Sequence, residues 1–236
     1  YTVSSYSWDI FLFKNISNLP KDSSIYDYFS SYISFEFWDY NNEKRESDST
    51  DNSIKFIWHR GNIENSPENT LESFLSANEL WADWIEFDVS YTKDQENIVA
   101  HWDLLYASNC KSQKVWNLNF DWIQKNCTMK NWEKYMKLQK MLELIDWLFD
   151  YYFLEIKVYD EKLWAQQTKD AIQIVKDLNM QDRVVFISYS DSAREVLNED
   201  PDIIYGWDTF DIKDLDFIWE NNSSYFLAPY DILTNR

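Results

Sequence analysis

Glycine is nearly missing from this chain, with only Gly61 and Gly206 in 236 residues, where average usage of about 7% would give roughly 16. That shortage excludes a glycine-rich nucleotide fingerprint or a Walker loop, both of which need several glycines within a few residues. Cysteine is as scarce. Cys110 and Cys127 cannot form a disulfide framework or a metal site of the usual spacing, so they read as ordinary thiols, with a single bridge between them as the lesser alternative. Thiols favour the cytoplasm, although a leader upstream of Tyr1 would not be seen in this sequence. No apolar run approaches the roughly 18 residues of a membrane span. Positive charge is also short: 22 Lys and Arg face 41 Asp and Glu, for a net charge of −19. Like charge then opposes binding to a nucleic-acid backbone or an anionic membrane, and an anionic ligand needs local cations or a metal.

Tryptophan, by contrast, is abundant, with 13 copies, and several stand where a chain usually places glycine. Ser66-Pro67-Glu68 reads as an N-cap, a first-turn proline and a first-turn acid, opening a helix with Leu71, Phe74, Leu75 and Leu80 on its apolar face. Trp81 falls at the exit of that helix, at the left-handed position usually held by glycine. Trp147 closes the helix over about Leu138 to Asp146 in the same manner, while Trp58, Trp102 and Trp207 sit at strand exits. We read many of these as glycines in the source organism, produced from a UGA codon decoded under the wrong genetic code.

With 45% apolar residues, the chain can fill the core of one large domain. Residues 1–53 read as a β-rich remnant of a preceding domain ("YTVSSYSWDIFLF", "SSYISFEFWDY") followed by the polar linker "NNEKRESDSTDNS". Residues 54–236 alternate short apolar strands ("IKFIWH", "WIEFDVSY", "NIVAHW", "YYFLEIKVY", "RVVFISYS", "DIIYGW", "SYFLAPY") with helical stretches. This α/β pattern implies a mostly parallel sheet, barrel or doubly wound. "TKDQEN" is too short for a crossover helix, so "NIVAHW" is hairpin or loop material.

The polar residues of interest lie at strand C-termini, where a parallel barrel gathers its active site. Glu86 and Asp88 are two apart on one strand and share a face, as do Glu155 and Lys157 on another. Three converging carboxylates, Glu86, Asp88 and Glu155, would repel one another without a cation, and their oxygens suit one Ca²⁺ or Mg²⁺. Both histidines of the chain, His59 and His101, also fall at such ends and would serve as a general acid and base. Arg60 could fork onto phosphate oxygens and Lys157 could supply a point charge. By position alone, Glu68 is a helix-start residue.

The motifs "HRG", "PENTLESFLSA", "ADWIEFDVSYTKD", "IVAHWD", "LEIK" and "VVFISYS", in this order between Phe56 and Pro229, resemble the glycerophosphodiester phosphodiesterase family. The resemblance implies a TIM (β/α)8-type barrel and metal-dependent hydrolysis of glycerophosphodiesters to glycerol 3-phosphate and an alcohol. It assigns His59 and His101 to acid/base catalysis, Glu86, Asp88 and Glu155 to the metal, Arg60 and Lys157 to the phosphate, and Glu68 to support of the first loop. Members commonly carry glycine at the positions of Trp58 and Trp81. The family's last motifs do not occur before Arg236, so about six of eight barrel strands are expected. Two other readings are a phospholipase D-like enzyme acting on sphingo- or lysophospholipids, and an inactive Ca²⁺-binding or interaction domain. Tryptophan at positions 58 and 102 would crowd the pocket beside the two histidines.

Overall fold

A computed structural model describes residues 10–14, 57–64, 66–101, 105–157, 161–208 and 225–229. Its strands are β1 (Ile10–Lys14), β2 (Ile57–His59), β3 (Trp84–Tyr91), β4 (Asn97–Val99), β5 (Tyr151–Ile156), β6 (Val184–Ser188), β7 (Ile204–Asp208) and β8 (Tyr225–Pro229). The helices, numbered in chain order, are α1 (Leu71–Glu79), α2 (Phe120–Asn126), α3 (Leu138–Ile145), α4 (Glu161–Asp177) and α5 (Asp191–Glu199). Strands β2, β3, β5, β6, β7 and β8 lie side by side in parallel, so six barrel-type strands form one sheet. Of the N-terminal region, β1 pairs antiparallel with β8; the expected strand "SSYISFEFWDY" and the polar linker lie outside the described residues. Strand β4 pairs antiparallel with β3 as a hairpin, as the short "TKDQEN" requires. No helix among the described residues is long and apolar enough to cross a membrane.

Strand alternation splits the sheet into two apolar layers. Ile85, Phe87, Val89, Tyr152, Leu154, Ile156, Val184 and Phe186 face the helices and join Phe74, Leu142, Ile145 and Val175 in the main core. Phe153, Val185 and Ile187, with Ile57, Trp84 and Tyr151 beside them, fill the opposite, interior face. Trp58 has the parity of the outer layer and packs against the main core. It therefore points away from His59 and does not crowd the pocket; Trp102 lies outside the described residues.

Between β4 and α3 the chain builds a small cap, which the sequence reading did not anticipate. It holds α2, a short 3-10 turn (Val115–Asn117) and its own core of Leu105, Val115, Ile123, Met129 and Tyr135. The expectation of free thiols is overturned here: Cys110 and Cys127 form a disulfide with Cα atoms 5.4 Å apart, and among the described residues no cysteine is free. Both are buried in the cap core. The cap docks on the start of α1, where the Glu133 carboxylate accepts the Leu71 and Glu72 amides at 3.1 and 3.0 Å. Those are N-terminal amides without a partner inside the helix, and a carboxylate there is favoured by the helix dipole.

Helix α1 starts later than expected. Its N-cap is Thr70, whose hydroxyl accepts the Ser73 amide while Ser73 Oγ accepts the Thr70 amide, a closed capping box. Asn69 has φ 57°, which stops the helix from reaching back to Ser66 and leaves Glu68 in a loop. The C-terminal end matches expectation. Trp81 has φ 65°, with Ala82 N bonded to Ala77 O and Trp81 N to Asn78 O at 3.1 and 3.0 Å, a Schellman motif. Helix α4 ends in the same motif with Asn179 (φ 55°) at the corresponding position. Trp147 differs from the expectation, because its φ is not positive; α3 simply runs out through Asp146 in right-handed geometry.

Candidate active site

The first loop sets the site. At the end of β2 the backbone turns through two left-handed residues, Arg60 (φ 59°) and Gly61 (φ 81°). Arg60 O accepts the Asn69 amide at 3.1 Å, and Asn62 N reaches Ser73 O at 2.9 Å. A Cβ on Gly61 would lie 2.4 Å from Ser73 Oγ and 2.7 Å from its carbonyl carbon, so one of the chain's two glycines stands where no other residue fits. The loop is thereby laced to the start of α1 and carries Arg60, Glu68 and Asn69 over the strand ends.

Glu86, Asp88 and Glu155 come together in the barrel interior. Asp88 and Glu155 are direct cross-strand partners, and the three can place one oxygen each within 4.8 Å of one another. All three are buried. Glu86 Oε1 and Asp88 Oδ1 are buried and have no hydrogen-bond partner among the described residues, which buried carboxylate oxygens rarely tolerate. An oxygen-rich, dehydrated cluster with unmet acceptors fits a hard divalent cation such as Ca²⁺ or Mg²⁺.

The permanent cations pair with this cluster. Arg60 Nε is 3.0 Å from Asp88 Oδ2 and its Nη1 is 3.1 Å from Glu68 Oε2. Lys157 Nζ is paired with Glu155 Oε1 and lies 3.5 Å from Asp88 Oδ1. Four carboxylates thus face two permanent cations, a deficit of positive charge that one divalent ion would balance. The histidines flank the cluster: His59 Nε2 is 3.7 Å from Glu86 Oε2, and His101 Nδ1 is 3.5 Å from Glu68 Oε1.

Burial and neighbouring charge set the protonation states. Burial, aided by the nearby Arg60, lowers the His59 pKa to about 4, so its imidazole is neutral near pH 7. The His101 pKa is also lowered, chiefly by burial and against the pull of Glu68. Glu86 is raised well above the usual carboxylate range by burial, then by Asp88 and Glu155. Asp88 is equally buried, yet Arg60 and Lys157 outweigh that and hold it ionised.

All eight residues singled out from the sequence are therefore gathered in one site, with Glu68 in the loop and not in the helix start. Asn69 was missed. Its side-chain Nδ2 donates to Asp88 Oδ2 at 2.8 Å and its Oδ1 accepts the Asp88 backbone amide at 3.0 Å, fixing the central carboxylate. The available signal was an asparagine directly before a Thr-x-x-Ser capping box, a residue type that tolerates the left-handed turn such a loop needs.

Comparison with known proteins agrees with this geometry. A glycerophosphodiester phosphodiesterase of Caldanaerobacter subterraneus subsp. tengcongensis is 31% identical over 157 residues, which is 64% of either chain. The chain thus spans just under two thirds of that relative's length. Among solved structures, a phosphodiesterase of Oleispira antarctica in complex with the product sn-glycerol-3-phosphate superposes with a TM-score of 0.62 at 23% identity, covering 69% of this chain and 72% of that one. A glycerophosphodiester phosphodiesterase of Parabacteroides distasonis gives a TM-score of 0.60 at 24% identity, with 70% of each chain covered. Both likenesses show the barrel-type fold. The family model for the glycerophosphoryl diester phosphodiesterases matches residues 59–203, from His59 to the approach of β7, and the chain belongs to that family.

Proposed function

We propose that the protein hydrolyses glycerophosphodiesters to glycerol 3-phosphate and an alcohol. The observation that carries this reading is the buried carboxylate triad lying beneath Arg60 and Lys157, with His59 and His101 on its rim. Glu86, Asp88 and Glu155 would hold a divalent cation, which when bound supplies Lewis-acid charge to the phosphate oxygens. Arg60 presents a planar fork to the phosphate and Lys157 a point charge, which lets a phosphodiester enter a chain of net charge −19. One neutral imidazole accepts the proton of the attacking hydroxyl or water as the new P–O bond forms. The other must enter the step as imidazolium, having taken a proton from solvent in the substrate complex, and delivers that proton to the leaving alkoxide as its P–O bond breaks; the pair then gains one proton and loses one. Asn69 and Glu68 orient Asp88 and Arg60 for these roles. The buried Cys110–Cys127 bond supports an oxidising compartment as the working location, in place of the cytoplasm.

The test is release of glycerol 3-phosphate from glycerophosphocholine by the purified protein with Mg²⁺ or Ca²⁺. Activity should vanish with a chelator and in His59→Ala. Turnover that survives either change would overturn the assigned site.

A further inference from the structure

Resting on the phosphodiesterase reading, we infer that Tyr189, steadied by Trp164, forms an aromatic wall that selects diesters whose alcohol carries a quaternary ammonium group. Tyr189 is one residue past β6, on the parity of Val185 and Ile187, both of which face the barrel interior. Its ring therefore stands at the mouth, and 41% of the residue is open to solvent. An exposed tyrosine at that height is not needed for packing, since the layer below is already filled by Phe153, Val185 and Ile187.

Two contacts fix the direction of the ring. Lys157 Nζ lies 5.9 Å from its centroid, within the range at which a cation is drawn to an aromatic face. Trp164 meets it edge-to-face, with centroids 5.5 Å apart and planes at 85°, a favoured arrangement that steadies the ring. Trp164 lies inside α4, where glycine would weaken the helix. Lys157 is also one of the two cations placed to hold the phosphate. The aromatic face thus begins beside the phosphate anchor, about where the arm of a short amino alcohol would extend.

The chemistry separates the candidate arms. A quaternary ammonium has no N–H to satisfy and carries diffuse charge, so an aromatic face is a suitable partner. A primary ammonium is strongly hydrated and loses hydrogen bonds against a ring, while a glycerol arm brings hydroxyls the ring cannot satisfy. The excess of acidic residues further favours a cationic arm over a neutral or anionic one.

The experiment compares kcat/KM for glycerophosphocholine, glycerophosphoethanolamine and glycerophosphoglycerol in the parent protein, Tyr189→Phe and Tyr189→Leu. The parent should prefer glycerophosphocholine. Tyr189→Leu should lower the choline-to-glycerol ratio by about 5- to 30-fold, the range of a desolvated cation–aromatic contact, and Tyr189→Phe should keep it. A ratio unchanged in Tyr189→Leu, or equal losses on all three diesters, would overturn the inference while leaving the phosphodiesterase reading intact. If the parent hydrolyses none of them, the phosphodiesterase reading fails first and this inference with it.

Discussion

The guanidinium of Arg60 lies against the imidazole of His101, with Nη1 2.9 Å from Nδ1 and Nη2 2.8 Å from Nε2. A guanidinium can only donate and a neutral imidazole has one lone-pair nitrogen, so one of these contacts is a hydrogen bond and the other an approach of two N–H groups; both disfavour a second proton on His101. A phosphate that draws Arg60 onto its oxygens would weaken that restraint at the moment the imidazole has to take or hold a proton. In the proposed reaction Arg60 would be both an anchor for the substrate and a brake on the histidine.

Replacing Arg60 by alanine should lower kcat/KM for a glycerophosphodiester by about 10- to 100-fold, the scale of a lost charge-assisted contact. Arg60→Lys should recover little, because the fork is lost although the charge remains. The acid limb of the pH–rate profile should move to higher pH in Arg60→Ala, since His101 loses a cation that disfavoured its protonated form. An unmoved limb would show that Arg60 does not govern that ionisation.

Glu86 gives a second test, through metal affinity. Burial and then Asp88 and Glu155 raise its pKa well above the ordinary range, so in the metal-free protein the triad retains a proton at pH values where an exposed glutamate has none. A divalent cation must displace that proton. Mg²⁺ or Ca²⁺ affinity should therefore fall as pH is lowered through the raised pKa, with up to one proton released per ion at pH values below it. Titration calorimetry in two buffers of different ionisation enthalpy measures the release; heats that do not depend on the buffer would contradict the linkage. Glu86→Gln should abolish the release and weaken the metal together.

The loop that carries Arg60 depends on Gly61. Any side chain there meets φ 81° and the Ser73 backbone, and the neighbour cannot yield without opening the capping box of α1. Gly61→Ala should cost about 2–3 kcal/mol of stability and reduce activity through displacement of Arg60. A wild-type denaturation midpoint for Gly61→Ala would mean the loop has more room than these contacts allow.

Much of the site could be read from the sequence because strand periodicity is strict: a spacing of two puts Glu86 with Asp88 and Glu155 with Lys157 whatever the rest of the fold does. The βα alternation likewise made the parallel sheet legible. The errors have different causes. Glu68 was read as a helix start because Ser-Pro-Glu is a good local signal, yet the left-handed Asn69 and the pull of Asp88 moved the start to Leu71. The Cys110–Cys127 bond and the cap depend on loops whose ends meet only in three dimensions, so no local pattern announced them. Trp58 looked obstructive when its strand parity was ignored.

The disulfide closes a loop with a sequence separation of 17, for which constraint of the unfolded chain is worth about 3 kcal/mol. The cap it staples also places Glu133 on the first amides of α1. Alkylation of the native protein without reductant should label no cysteine, and after reduction should label two. Reduction or Cys127→Ser should lower Tm and loosen the cap ahead of the sheet, visible as early hydrogen exchange in residues 105–136. Two labelled thiols in protein isolated from its source would return the chain to a reducing compartment.

Trp81 and Trp132 carry the strongest structural case for glycine in the native protein. Trp81 occupies the left-handed C′ position of a Schellman motif. Trp132 (φ 70°) is the left-handed residue of a hairpin turn closed by Trp132 N to Met129 O and Met129 N to Glu133 O, a geometry that favours glycine. The two side chains are 84% and 85% exposed, so neither recovers in packing what its backbone conformation costs. Trp84 is the contrast, since its ring packs on Tyr151 and Phe153. Trp81→Gly and Trp132→Gly should each stabilise the protein by about 0.5–1 kcal/mol, whereas Trp84→Gly should destabilise it by several kcal/mol. In protein from the source organism, the tryptic peptide Gly61–Lys93 should show glycine at 81 and tryptophan at 84, which makes Trp84 an internal control. Tryptophan at both 81 and 132 in native peptides would reject the decoding explanation and leave two strained, exposed tryptophans as genuine features of the chain.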